Sequence, residues 1–310
     1  MDVHLSISQA FDSLRTNPGP QDSPPRPPTS TKVFSSAQLL LSGAISGALA
    51  KSAIAPLDRM KILFQTNPNL KFNLANLSSL SREIYGSAGV LAFWKGHTAT
   101  LVRVIPYSAT NFFVFDRTKN FLGTYNWFND FPVGLKFVSG ALSGSVAVIV
   151  TYPLETLRAR LAVDLESRYQ GGYWTAIRSI VRADGLRSLY SGLRPTLLGI
   201  IPYAGSSFAI YETFRKDQTS FGARLLIGAI AGFAAQASTY PLDVVRRRMQ
   251  VSPEEYPTIA STFMKVYSKE GLLHGLYKGL SMNAFKGPIA VAISLNVNDQ
   301  MKQYFASHNS

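Results

Sequence analysis

The sequence predicts an all-α membrane protein built from three similar thirds, and three observations carry that prediction. First, one stretch occurs three times: Ser42–Leu63 (SGAISGALAKSAIAPLDRMKIL), Ser139–Arg160 (SGALSGSVAVIVTYPLETLRAR) and Ile227–Met249 (IGAIAGFAAQASTYPLDVVRRRM). The prolines of the three copies, Pro56, Pro153 and Pro241, lie 97 and 88 residues apart. Each copy has a Gly-x-x-x-Gly pair starting 13 residues before its proline (Gly43/Gly47, Gly140/Gly144, Gly228/Gly232). Each also has an acid two residues after the proline and a base five after it: Asp58/Lys61, Glu155/Arg158 and Asp243/Arg246. Self-similarity of this kind outranks any local feature. Second, Ala37–Leu57, Leu135–Leu154 and Leu225–Leu242 are long, weakly polar and rich in Gly, Ala and Ser. Small residues four apart let helix backbones approach closely in lipid. Third, a mid-helix proline followed by charges suits helices that line a water-filled cavity.

Composition narrows the function. The 310 residues carry a formal net charge of +13, and there is no cysteine, hence no disulfide and no thiol chemistry. A nucleic-acid binder of this charge needs a basic face with stacking aromatics or a known motif, and neither is present. A basic membrane scaffold has no use for acids repeated inside apolar helices. Basic loops on one side of a membrane fit the charge, as does a cavity for an anion. An enzyme needs a nucleophile–base set or a metal cluster, but the four histidines, His4, His97, His274 and His308, are scattered. The sequence therefore predicts no enzyme, no metal and no cofactor.

In chain order, residues 1–34 are rich in Pro, Ser and Thr and predict a disordered tail. With Asp2, Asp12 and Asp22 among them, they match an acid-poor transit peptide badly. The first third, 35–124, holds a long helix over 35–65 kinked at Pro56, a short amphipathic helix over 74–85, Ala88-Gly89, Trp94-Lys95-Gly96, and a helix over 97–122 containing Pro106. The second third, 132–217, repeats the plan: helices over 132–163, 173–183 and 193–216, with Asp184-Gly185, Tyr190-Ser191-Gly192 and Pro202. The last third, 221–307, has helices over 222–250, 258–269 and 280–305, with Glu270-Gly271, Tyr277-Lys278-Gly279 and Pro288. Five residues separate Gly271 from Tyr277 where four stand in the other thirds. Ten residues after Pro106 and Pro202, and eleven after Pro288, comes an acid with a base three further on: Asp116/Lys119, Glu212/Arg215 and Asp299/Lys302.

These features resemble the mitochondrial carrier family. Its motifs are Pro-x-(Asp/Glu)-x-x-(Lys/Arg), then (Asp/Glu)-Gly-x4-aromatic-(Lys/Arg)-Gly, with (Phe/Tyr)-(Asp/Glu)-x-x-(Lys/Arg) on the even helices. The likeness covers about residues 35–305 and departs at Ala88, Ser191, Asn298 and the extra residue before Tyr277. It implies six transmembrane helices in a three-fold pseudo-symmetric bundle with short matrix helices, in the mitochondrial inner membrane. It also implies alternating access around one central site, a monomer, and contact with membrane lipids, cardiolipin at the matrix side among them.

Within that scheme Asp58, Lys61, Glu155, Arg158, Asp243 and Arg246 form a matrix gate. Asp116, Lys119, Glu212, Arg215, Asp299 and Lys302 form a cytoplasmic one. A single such pair reads equally well as a surface i,i+3 contact; six in register do not. Each ring has three acids and three bases, so each can neutralise itself at a depth where an unpaired ion is expensive. Half-screened pairs contribute roughly 1 kcal/mol each, so a ligand can offset their rupture. In the family a glutamine nine residues after the proline braces the matrix ring; Gln65 and Gln250 stand there, and Ala162 in the second third.

An asymmetric substrate should be met by positions that break the repeat. Lys51, Val148 and Gln236 are equivalent, as are Arg103, Gly199 and Lys286. Tyr107, Tyr203, Asn111 and Ile200 lie on the same helices. If the rings cancel, Lys51, Arg103 and Lys286 leave three uncompensated charges, which calls for a polyanion, phosphate above all. Gly199-Ile200 with Tyr203 offers bare backbone and a flat aromatic for a purine. A packing role for Gly199 beside Pro202 and a headgroup role for Arg103 stay open at this point. Within the family, Ala53–Phe64, Thr239–Gln250 and Gly279–Ser294 are most similar to carriers of coenzyme A. Such carriers exchange coenzyme A and dephospho-coenzyme A for adenine nucleotides, including adenosine 3′,5′-diphosphate. The second expectation is a carrier of another adenine nucleotide, exchanging ATP-Mg for phosphate or ADP for ATP.

Overall fold

The computed structural model describes residues 36–125, 132–166, 168–169, 171–215 and 221–308. The expected tail at 1–34 and the helix ends expected at Ser35 and Lys216 lie outside them. The described residues are helical, without strands. The helices are α1 (Ser36–Thr66), α2 (Leu74–Ala88), α3 (His97–Leu122), α4 (Pro132–Val163), α5 (Tyr173–Asp184), α6 (Leu193–Arg215), α7 (Phe221–Val251), α8 (Ile259–Glu270) and α9 (Leu280–His308). Each of the six long helices carries its predicted proline inside the helix. Short helices α2, α5 and α8 run one to three residues further than predicted. Each stops where a glycine amide, Gly89, Gly185 or Gly271, bonds back to a carbonyl of the last turn and the glycine takes a positive φ.

The chain separates into two compact units, Ile54–Pro288 and the chain before Ile54 together with that from Ile289 onward. In the larger unit α3 packs along α4, and α6 along α7. Three small cores repeat there. Residues four and eight after each proline, Met60/Phe64, Leu157/Leu161 and Val245/Met249, share one helix face and meet the short amphipathic helix of their own third. Ile84, Ile180 and Val266 supply the apolar side of those short helices and are almost fully buried. Large apolar side chains elsewhere, such as Ile105, Phe113, Leu198, Ile201 and Phe285, are exposed, as befits helices with lipid for a solvent. Among the described residues one helix, Gly134–Val163, is by its own length and composition apolar enough to cross a membrane.

Three buried arginines tie the thirds together. The last turn of a helix leaves carbonyls without partners, and a cation there also meets the negative end of the helix dipole. Arg59 Nε donates to the Ala162 carbonyl at 2.9 Å, Arg160 Nε to that of Gln250 at 3.0 Å, and Arg248 Nε to that of Gln65 at 2.6 Å. Each acceptor lies nine residues after its proline, so α1 clamps α4, α4 clamps α7 and α7 clamps α1. Arg160 and Arg248 sit seven residues after their prolines and pair with Asp184 and Glu270. The first third has Leu63 and Ala88 at those two positions. Arg59 takes over there, reaching the carbonyls of Ala92 and Asp164 as well.

The expectation about Gly-x-x-x-Gly is corrected in this conformation. Among the described residues of the larger unit, a Cβ on Gly140, Gly144 or Gly228 would meet nothing within 4 Å, so no close approach to a described residue is made there. The close approach occurs instead at Gly96 and Gly192. At Gly192, with φ +81°, a Cβ would lie 2.8 Å from the Arg246 carbonyl. Gly192→Ala should therefore cost about 1–3 kcal/mol through left-handed strain alone. Gly140→Ala should leave stability unchanged, since a Cβ there meets open space. Thermal unfolding of the two purified variants checks this; equal melting temperatures would contradict it.

Candidate functional site

The acids and bases that follow the three prolines meet across α1, α4 and α7. Lys61 Nζ lies 2.9 Å from Asp243 Oδ2, Arg158 Nη2 lies 2.9 Å from Asp58 Oδ2, and Arg246 pairs with Glu155. Each base thus reaches the acid of the preceding third, and the relay closes on itself. Gln65 Nε2 donates to Asp243 at 3.2 Å and to the Tyr240 hydroxyl at 3.1 Å. Gln250 Nε2 donates to the Tyr152 hydroxyl at 3.0 Å. Tyr152 and Tyr240 immediately precede their prolines, and Arg246 and Lys61 stand over their rings at 5.8 and 5.0 Å.

The asymmetric cations do not stand apart from this ring, which corrects one expectation. Arg103 Nη1 lies 3.3 Å from Glu155 Oε2, and its Nε lies 3.3 Å from Thr151 Oγ1. Lys286 pairs with Asp58. Both even-helix cations are compensated by ring acids, because a buried charge finds the nearest opposite one. A residue the sequence reading missed joins them: Arg247 Nη2 lies 3.6 Å from Glu155 Oε1, and its Nη1 donates to Gln250 Oε1 at 2.9 Å. Its equivalents six residues after the other prolines are Ile62 and Ala159, so broken symmetry was the signal that could have found it. Six cations now share three carboxylates, an excess of three positive charges. The size of the excess matches the expectation, but Arg247, which was not expected, contributes to it. Among the described residues, Nε of Arg246, Nε of Arg247 and Oε1 of Gln65 are buried with no hydrogen-bond partner.

The remaining predicted residues divide into three groups. Tyr107 is buried with Arg103 5.2 Å from its ring centroid. It packs with Val148, Tyr152 and Ile200, so Ile200 helps build the wall beneath these cations. Gly199 would have room for a Cβ, whose nearest neighbour, Leu242 Cδ1, is 4.0 Å away; packing beside Pro202 does not require glycine there. Asn111 and Tyr203 are half-buried. Lys51, also half-buried, belongs to the smaller unit.

Of the second expected ring, Asp116 and Lys119 on α3, in the larger unit, are exposed; on α9, in the smaller unit, Asp299 is exposed and Lys302 half-buried. The side chains of Glu212 and Arg215 lie outside the described residues.

Comparison with known proteins finds one family model three times along the chain. A family described as mitochondrial carrier protein matches residues 32–126, 129–218 and 217–309. The chain is 45% identical over 274 residues to the mitochondrial coenzyme A transporter SLC25A42 of Xenopus tropicalis, covering 84% of this chain and 83% of that one. It is 44% identical over 276 residues to the Homo sapiens protein of the same name, covering 85% and 86%. It is 35% identical over 287 residues to the mitochondrial carrier protein CoAc2 of Zea mays, covering 85% of each.

Burial ranks the ring acids. The Glu155 side chain is 5% exposed and faces three guanidinium groups, whereas Asp243 is 24% exposed. Glu155→Gln strands three buried cations and should cost about 3–5 kcal/mol. Asp243→Asn should cost about 1 kcal/mol, as for a partly solvated pair. Thermal unfolding in detergent separates them, and equal losses would contradict the ranking.

Proposed function

The chain belongs to the mitochondrial carrier protein family, and on that premise we propose that it exchanges coenzyme A for an adenine nucleotide such as adenosine 3′,5′-diphosphate. Membership makes it a transporter with the all-α carrier fold, a multi-pass protein of the mitochondrial inner membrane. The one observation that supports a polyanionic cargo best is the sharing of three carboxylates among six cations, with two buried guanidinium Nε atoms left over. Relatives named as coenzyme A transporters at 44–45% identity support that choice among adenine polyanions.

The closed relay suggests a mechanism. In this reading Asp58, Lys61, Glu155, Arg158, Asp243 and Arg246 are the matrix gate, braced by Gln65 and Gln250, and the gate is shut. Asp116, Lys119, Glu212, Arg215, Asp299 and Lys302 are the cytoplasmic gate. A phosphate group arriving from the cytoplasmic side competes with Glu155 for Arg103 and with Asp58 for Lys286. Arg and Lys bind phosphate at least as readily as carboxylate. Once those cations turn to the substrate, Asp58 and Glu155 lose part of their compensation and the gate loosens. A ligand moves such an equilibrium only by its differential affinity for the two states. Arg103 and Lys286 supply that difference, because their carboxylate contacts exist only while the gate is shut. Lys51 and Asn111 add polar contacts, and Tyr107, Gly199, Ile200 and Tyr203 the surface for an adenine ring.

The test is uptake of labelled coenzyme A by liposomes loaded with adenosine 3′,5′-diphosphate, with ATP, ADP and phosphate in parallel. Uptake should require the internal nucleotide. Arg103→Gln and Lys286→Gln should each lower its specificity constant roughly 10- to 100-fold, the loss of one charge-assisted contact. ATP or phosphate uptake without coenzyme A would overturn the substrate and keep the gates.

A further inference from the structure

The three links of the ring of acids and bases are not built alike. In two of them the helix of the base supplies a glutamine and the helix of the acid a tyrosine. Beside Arg246 and Glu155 stand Gln250 and Tyr152, joined at 3.0 Å. Beside Lys61 and Asp243 stand Gln65 and Tyr240, joined at 3.1 Å. At the link between Arg158 and Asp58 the same two positions are Ala162 and Ala55, both buried. An alanine side chain offers neither donor nor acceptor, so this link has no such brace.

The repeat is broken once more at the same place. The first residue of α6 is Leu193 and that of α9 is Leu280, but α3 begins with His97. Leu193 packs against the cluster that holds Tyr152, and Leu280 against the one that holds Tyr240. In the first third Ala55 provides no ring to cover. Half-buried His97 instead lines a cavity of about 10 Å³ together with Ala55, Asp58, Arg158 and Ala162. One water needs about 10–15 Å³ measured this way, with two to four polar partners. Two more bases on the wall are turned to other groups. Arg59 Nε donates to the Ala162 carbonyl at 2.9 Å, and Lys95 Nζ lies 3.0 Å from Asp164 Oδ2. The polar groups that face one another across the cavity are then the His97 imidazole and the Asp58–Arg158 pair.

We infer that His97, through one water seated in this cavity, braces the Asp58–Arg158 link in place of the tyrosine and glutamine that brace the other two. A neutral imidazole has one donor and one acceptor, and a water passes either on to a carboxylate or a guanidinium. A bridging water is nearly as good in enthalpy as a direct bond. His97 is thus a positioning residue, acting on the pair and not on the cargo. Its role deepens the reading of this ring as the matrix gate and rests on it.

The test is thermal unfolding of the full-length protein in detergent. His97→Leu installs the residue of the two equivalent positions, so the variant should fold as the parent does. It should lower the melting temperature by about 2–4 °C, the loss of about one hydrogen-bonded contact. Gln250→Ala, at a braced link, should do the same. His97→Gln keeps a donor and an acceptor and should restore most of the loss. In an Asp58→Asn background the effect of His97→Leu should shrink by half or more, since residues that share a partner are not additive. Arg158→Gln gives the same cycle where Asp58→Asn is too unstable to purify. An undiminished effect in that background, a loss in His97→Gln as large as in His97→Leu, or no loss in His97→Leu beside a loss in Gln250→Ala would each overturn His97 as a brace and leave the gate reading standing. No loss in either His97→Leu or Gln250→Ala would contradict bracing at every link, and the gate reading with it.

Discussion

Asp58, Glu155 and Asp243 serve more cations than they can neutralise, and the larger unit is built to keep them in that position. The three carboxylates sit two residues after prolines on α1, α4 and α7, where a helix places an acid and the base three residues on along one face. Each base turns to the acid of the preceding third, so no pair lies within one helix. Arg103 and Arg247 join Arg246 on Glu155, and Lys286 joins Arg158 on Asp58. On the proposed reading, carboxylates shared in this way close the matrix gate and give up their cations to an arriving phosphate.

The surrounding structure holds the carboxylates in register. Buried guanidinium groups from Arg59, Arg160 and Arg248 each cap a last-turn carbonyl of the next long helix, at positions 162, 250 and 65. The backbone that carries a brace residue is thus clamped by the neighbouring third. Gly96 and Gly192 let the chain leading into an even helix lie against the backbone of an odd one. The small apolar cores around Phe64, Leu161 and Met249 seat the amphipathic helices beneath. The apolar cores bury ordinary hydrophobic surface and contain no member of the charge relay.

Much of this was legible in the sequence because the repeat supplies its own controls. Three copies in register located the helices within a few residues and singled out the acids and bases after Pro56, Pro153 and Pro241 that pair across helices. What stayed hidden is what departs from the repeat. Arg247 has Ile62 and Ala159 as equivalents, so no repeat marks it. Ala88 was visible as a missing acid. Its compensation was not, because Arg59 sits four residues from the equivalent of Arg160 and bonds to carbonyls more than 30 residues away in sequence. Charge counting assumed that each ring neutralises itself; the structure shows the even-helix cations drawn onto ring acids instead. The Gly-x-x-x-Gly pairs were recognisable, but which conformation uses them is a property of packing and not of spacing.

The claim that an anion competes for the ring is tested most directly by distance. A cysteine-free chain accepts two spin labels, at Leu91 and Leu186, exposed residues in the segments that follow α2 and α5. Electron–electron resonance in liposomes should give one short distance without substrate and a second, longer population when coenzyme A is present on both sides. An unchanged single distance at saturating coenzyme A, in vesicles that still take it up, would contradict the account.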